Sequence, residues 1–502
     1  MKTSASLSGV LHIGRLSDTI RGDSVYRALH DSGSKAKLIW VAEDMDPLRK
    51  VPEGVPGSYE KYIGMPVTDI PDPDGNYESY AEKHKQEYFK VLDRFVYTDM
   101  EKFSMRKLYK EKEFLKIAKK VLDYAPAVVE IQNKYRENPL PKTWSPWAPI
   151  CEGCGKIATP KVISFKDGIV SYRCDDYNFQ KTAAKGCGHK GTSDPMKGEG
   201  KLMWKSEWAA QWAYFRVVAE GAGKEYQVPG SAFWVNAEIC EQVLEFPMPE
   251  PIFYEHLMID NVKMSASLGN VVYPRDWLEV ASPELLRYYY NKRLMRQRSF
   301  SWKLLPQLFD EYDTAARIYF DEEEIENKRE KAHIKRLYEI SGNPKKPEKP
   351  LKMPISHAIM LVQTFDDKDK IISSLKKTGH YEADKEEQTF ARLDYAKAWV
   401  GKYAPEDVKF VVQEKPAENL GLSEKQKEGL REIVRALKSG REWDEKSFFN
   451  EFYEIQKRAG LKPAEFFQAG YKVLLNKEQG PRLAPFILGL GDRAIELFEQ
   501  VS

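Results

Sequence analysis

Leu11-His12-Ile13-Gly14-Arg15, close to the start of the chain, is answered far downstream by Lys263-Met264-Ser265-Ala266-Ser267. The first stretch follows Ser8-Gly9 and has the character of a glycine-rich turn from a strand into a helix. Gly9 and Gly14 let backbone approach a ligand closely, and a helix from about Leu16 to Ser32 turns its positive N-terminal end toward phosphate. His12 and Arg15 add donors at that turn. The second stretch sets Lys263, Ser265 and Ser267 on a loop that ends at Gly269-Asn270, a point charge and hydroxyls able to follow a triphosphate as it reorganises. Taken singly, each has a plain reading, a surface histidine near a turn and an ordinary basic loop. As an ordered pair they suit attack of a carboxylate on the α-phosphorus of ATP, chemistry that needs positioning and electrostatic stabilisation more than covalent help.

The pair resembles the two signature motifs of class I aminoacyl-tRNA synthetases. A second layer of likeness narrows the family. Arg49-Lys50-Val51-Pro52, Tyr62-Ile63-Gly64-Met65-Pro66, Asp72-Pro73-Asp74-Gly75 and Glu78-Ser79-Tyr80-Ala81-Glu82 resemble the class I lysyl-tRNA synthetases common in archaea, and so do Pro139-Leu140-Pro141, Gly223-Lys224, the run 402–408 and the run 477–483. The resemblance covers essentially the whole chain. It implies an α/β fold: a Rossmann-like nucleotide-binding catalytic domain over 1–280 with a zinc ribbon inserted at 145–195, a helical stem-contact domain over 281–345, and an all-helical anticodon-binding domain over 346–502. It also implies L-lysine, ATP with Mg2+, and lysine tRNA as substrates and partners, lysyl-adenylate as the intermediate, and a monomer working in the cytoplasm.

Composition is consistent with this and excludes other classes. With 502 residues the chain exceeds one core, so several domains are expected. Charged residues make up 31% and nearly balance, at a formal net charge of +2, so any nucleic-acid surface has to be a local patch. No apolar run is long enough for a membrane span and no signal-like N-terminus is present, which points to the cytoplasm. Met1 to Ser8 is short and polar where a nucleotide fold should place its first buried strand, so the chain is expected to be abbreviated at its N-terminus relative to the family.

Four of the five cysteines fall between 151 and 187. Cys151-x2-Cys154, a hairpin signal at Lys166-Asp167-Gly168, and Cys174 make a zinc-ribbon pattern. The second knuckle is stretched, since Cys187 follows Cys174 after an insertion, with His189 two residues on. A four-thiolate site of Cys151, Cys154, Cys174 and Cys187 is the expected metal centre, His189 being the alternative fourth ligand. Cys240 is expected to be an inert packing cysteine. Some relatives hold a metal in the segment after Pro71. Here only Asp72 keeps a ligand type, with Asn76, Tyr77 and Lys83 at the other positions, so no metal is expected there.

Lys37 to Ala42 reads as a buried parallel strand running into Glu43-Asp44-Met45-Asp46 at its carboxyl end, where ligands sit in open α/β sheets. Those acids can meet a cationic substrate or cap the next turn. Trp204, Trp208 and Trp212 fall on one helical face, a spacing usually found in cores. Resemblance to the family's lysine pocket places Trp204 and Tyr226 beside the substrate with Ser4 and Ser6, an acid such as Glu255 or Asp44 at the polar end, and Gly230-Ser231 near the adenylate. The same resemblance gives His12 and Gly14 to ATP, together with Ser8, Gly9 and Arg15, and gives Lys263, with Met264, Ser265 and Ser267, the task of neutralising phosphate charge. Arg15 and Tyr226 depart from the residues usual in the family.

The C-terminal part is helical by pattern. Ser282-Pro283 is a helix start, the Pro- and Lys-rich run 341–350 marks a boundary, Ser423 with Gln426 makes a capping box, and Phe448, Phe449, Phe452 and Ile455 keep a helical period. Two other readings stay open: a class I ligase for glutamate, which would want a cation in its pocket, and a tRNA-binding paralogue that has lost catalysis, against which the intact Lys263-Met264-Ser265 weighs.

Overall fold

A computed structural model describes residues 1–7, 9–52, 54–264, 269–293 and 296–501. Ser8, Ser265 and Ser267 of the two signatures therefore lie outside the described residues. Two compact units partition the chain. One comprises 1–275, 287–300 and 340–344, the other 276–286, 301–339 and 345–502, so the stretch 281–345 is divided between them.

The first unit is built on a five-stranded, all-parallel sheet of β1 (Lys2–Ser6), β2 (Leu38–Glu43), β3 (Met100–Ser104), β4 (Ala219–Gly223) and β5 (Glu250–Tyr254), in spatial order β5-β4-β1-β2-β3. Helices α1 (Ile13–Asp31), α2 (Tyr80–Phe95), α3 (Trp204–Phe215) and α4 (Ala232–Gln242) belong to its crossovers. This is the doubly wound arrangement, whose strand order reverses on either side of β1. β2 is buried at every position, as a strand covered on both faces must be, and its Leu-Ile-Trp-Val-Ala run supplies the apolar surface.

β1 occupies the centre of the sheet although its residues are largely polar. Burial is tolerated because the polar groups are matched. In the parallel register Lys2 stands opposite Glu220 of β4, and the two form an ion pair of 2.7 Å with neither side chain more than 2% exposed. The carboxylate of Glu220 also accepts Trp208 Nε1 at 2.6 Å and Trp212 Nε1 at 2.5 Å. Part of the Trp204-Trp208-Trp212 face thus serves to satisfy a buried acid, besides packing in the core with Phe233.

A separate antiparallel sheet of 160–166, 169–174 and 190–193 forms the ribbon. Its first hairpin turns at Asp167 and Gly168, both at positive φ. The insertion between Cys174 and Cys187 carries a small hairpin of its own, Tyr177–Asn178 against Ala183–Ala184.

Every described element of the second unit is helical. Within it Arg392 grips Asp313 with two hydrogen bonds of 2.6 and 2.8 Å, and Trp302 stacks on Tyr403 with centroids 4.0 Å apart. Glu424–Lys438 opens with the Ser423–Gln426 capping box. In Glu445–Ala459, Phe448, Phe452 and Ile455 are buried, whereas Phe449 remains exposed. No helix among the described residues is long and apolar enough to cross a membrane.

Candidate functional site

The reversal of strand order between β1 and β4 opens a cleft at their carboxyl ends, and the first unit holds a cavity of about 730 Å³ there. Ser4 and Ser6 come from β1, His12, Gly14 and Arg15 from the turn into α1 and its first residues, Trp204 from α3, Tyr226 and Glu255 from the segments after β4 and β5, and Lys263 and Met264 from the second signature; all ten line this one cavity. Ile13 N donates to Val272 O at 3.0 Å and Tyr290 Oη donates to Ile13 O at 3.0 Å, which pins the start of α1.

The two signatures touch. A Cβ on Gly14 would stand 2.6 Å from Met264 Cε, the free end of that side chain, and 3.0 Å from His12 Nδ1, so it would have to displace both. Lys263 is exposed, with its Nζ 3.4 Å from His256 Nε2. Burial, with Arg15 adding to it, holds the His12 imidazole down at about 4, so the ring is neutral near pH 7. Arg296 and Arg298 join Arg15 and Lys263 among the cations lining the cavity.

Six acids also line it: Asp18, Glu43, Asp46, Glu220, Glu225 and Glu255. Three have a lysine partner. Glu220 is held by Lys2, Asp46 by Lys201 at 3.0 Å, and Glu255 by Lys224 at 2.9 Å. Among the described residues neither Asp18 nor Glu43 makes an ion pair, although the charge of Lys2 acts on both and that of Lys201 on Glu43. Burial first, then the negative charge of Glu220, raises the Asp18 carboxyl to about 6 against hydrogen bonds from Tyr254 and the Ser4 backbone, and its Oδ1 has no hydrogen-bond partner among the described residues. Burial, aided by Glu207, likewise holds the Glu43 carboxyl well above the usual range, and among the described residues its hydrogen bonds come from Gln211 Nε2, at 3.1 and 3.2 Å. Asp18 fits because β4 has Gly221 at the facing position, where any Cβ would collide with its Oδ1.

The apolar wall is aromatic. Trp204 stacks on Trp208 with centroids 4.9 Å apart, and Tyr226 meets Trp208 edge-on at 5.2 Å. Gly230 and Ser231 do not line the cavity; Ser231 Oγ donates to the backbone oxygen of Tyr226 at 2.7 Å and steadies it from behind. Gly9 lies instead on a neighbouring cavity of about 480 Å³ with Val10 and Leu11.

Asp44, offered with Glu255 as the acid at the polar end, is not among the residues that line the cavity. It is buried away from the cavity and accepts Ser104 Oγ at 2.5 Å and Arg106 N at 2.9 Å, fastening the turn after β3. Successive residues at a strand end face opposite sides, so Glu43, not Asp44, reaches the cleft. Asp72 has a comparable turn-holding role, accepting the backbone N–H groups of Asn76 at 2.8 Å and Tyr77 at 3.1 Å.

The ribbon brings Cys151, Cys154, Cys174 and Cys187 together, with all four sulfurs within 4.8 Å of one another. Cys151 and Cys187 are 3.6 Å apart and Cys154 and Cys174 3.7 Å apart. A tetrahedron of thiolates about 2.3 Å from a central ion has edges near 3.8 Å, close to these two separations, so the set is arranged to hold a metal. His189 stays outside, its Nε2 3.5 Å from Glu152. Cys240 is buried in the core of the first unit.

The chain matches the family model for class I tRNA synthetases of the K type over residues 1–343. It is 33% identical to the lysine–tRNA ligase of Methanosphaera stadtmanae over 97% of this chain and 92% of that protein. Against the lysine–tRNA ligase of Methanocaldococcus jannaschii it is 33% identical, covering 98% and 95% of the two chains. Against that of Pyrococcus horikoshii it is 34% identical, covering 96% and 92%.

Proposed function

The chain belongs to the class I tRNA synthetases of the lysine type, and from that premise we propose that its cavity activates L-lysine with ATP and passes it to lysine tRNA. One observation carries the reading: the two signatures meet in a cavity that also contains an indole wall and two buried carboxyls, Asp18 and Glu43, that form no ion pair among the described residues. Lysine brings two ammonium groups on one apolar stem. The stem suits Trp204 and Trp208, and the ammoniums suit the two unpaired acids. Glutamate would bring two carboxylates to the same acids, which is why the glutamate reading is disfavoured.

In the first step a lysine carboxylate oxygen attacks the α-phosphorus of ATP and pyrophosphate leaves. The N-terminal end of α1 with His12, Gly14 and Arg15 receives phosphate oxygens, and Lys263 neutralises the charge that grows on them. Mg2+ would travel with the triphosphate. In the second step a hydroxyl of the terminal adenosine of the tRNA attacks the acyl carbon and AMP leaves. Zinc, when bound by the four cysteines, cross-links the ribbon that guides the acceptor arm, while the helical unit reads the anticodon. Aminoacylation of a lysine tRNA transcript tests the reading: lysine should be attached and glutamate should not.

A further inference from the structure

The pair Lys2–Glu220 is placed where the reaction does not explain it. Glu220 lines the cavity and Lys2 does not. Lys2 is fully buried behind it, 2.7 Å from Oε1 and with its Nζ 5.9 Å from the centroid of Trp208. A carboxylate, an indole face and a buried ammonium on an apolar stem are the same chemistry the cavity would offer to an incoming lysine.

We propose that Lys2 fills an amine site from within the protein, and that this occupancy sets specificity by removing Glu220 from the acids open to substrate. Glu220 also holds the indole N–H groups of Trp208 and Trp212, and Trp208 carries the stacked Trp204 and the edge of Tyr226. The resident ammonium therefore fixes the charge of one wall and the orientation of the aromatic one. With Glu220, Asp46 and Glu255 each engaged by a lysine, the buried cavity acids left to an incoming ammonium are Asp18 and Glu43. Lys2 acts through Glu220 and is a positioning residue. The inference rests on the lysine reading for its kinetic consequence, and on the contacts alone for the amine site.

Lys2→Met keeps the stem and deletes the ammonium, leaving a buried carboxylate bare or forcing it to take a proton. The variant should show altered tryptophan fluorescence and a KM for lysine raised about tenfold or more, the loss expected when a buried charged hydrogen bond goes, with a smaller change in kcat. Ethylammonium or n-butylammonium chloride should restore the fluorescence and lower the KM, and tetramethylammonium, which has no N–H to donate, should do neither. Lys2→Met/Glu220→Gln, with neither charge of the pair left, should recover most of the lysine KM and ignore added amines; it also serves if the single variant fails to fold. A folded Lys2→Met with unchanged KM and no amine response, or a double variant as impaired as the single one, overturns the proposal. Amine-restored fluorescence does not depend on which amino acid is activated, so failure of wild-type protein to activate lysine would count against the proposed function and leave the amine site standing.

Discussion

Met264 Cε sits 2.6 Å from the point where a Cβ on Gly14 would stand, so the methionine of the second signature packs into the space that the glycine of the first leaves open. Residues far apart in sequence share one contact. Gly14→Ala should turn the methionine away and push the His12 ring, and the rate of lysine-dependent ATP–pyrophosphate exchange should fall by about a hundredfold, the scale for a misplacement of about an ångström. Gly14→Ala/Met264→Ala should regain part of that loss, and a double variant no better than the single one would show that the contact is incidental.

Lys263→Ala should slow adenylate formation by about 2 to 4 kcal/mol of transition-state stabilisation, the range for one preorganised donor, while lysine binding changes little. Single-turnover kinetics separates the two effects. An unchanged rate would remove Lys263 from the role given to it.

Metal analysis should find one zinc per chain, and Cys151→Ser should lose it and loosen the ribbon locally. His189→Ala should keep the metal, since its ring stands outside the four sulfurs. Two equivalents would mean a second centre elsewhere.

Asp18 gives lysine binding a pH dependence of known sign. Its carboxyl titrates at about 6 in the free protein because burial and Glu220 favour the neutral form. An ammonium partner favours the carboxylate, so binding expels a proton below that pH and affinity should rise as pH increases from 5 to 7. Calorimetry in buffers of different ionisation enthalpy should detect proton release near pH 5.5 in the wild type and less in Asp18→Asn. Equal release in both would exclude Asp18.

The signatures, the ribbon cysteines and the helical C-terminal part were legible because each rests on local spacing. Glu255 followed from the resemblance and Glu43 and Asp46 from the strand end, but Asp18 and Glu220 were not legible, nor was the choice between Glu43 and Asp44. Asp18 lies inside a helix that is buried around most of its first half, where no apolar stripe picks out a face. Glu43 and Asp44 are neighbours whose fates are decided by strand parity, and the sequence of the strand end does not reveal which of them faces the cleft. Glu220 has meaning only through Lys2 and two tryptophans, partners supplied by the parallel register and by α3. The polar β1 makes the start of the chain read as abbreviated for the same reason, since the partners that let it be buried are distant in sequence.

ATP–pyrophosphate exchange measured with each of the twenty amino acids puts the assignment to its most direct test. Lysine alone should support exchange, with ornithine rejected because its shorter stem leaves a buried acid unpaired. Exchange with glutamate and none with lysine would contradict the pairing of Asp18 and Glu43 with substrate ammoniums, and with it the reading of this site.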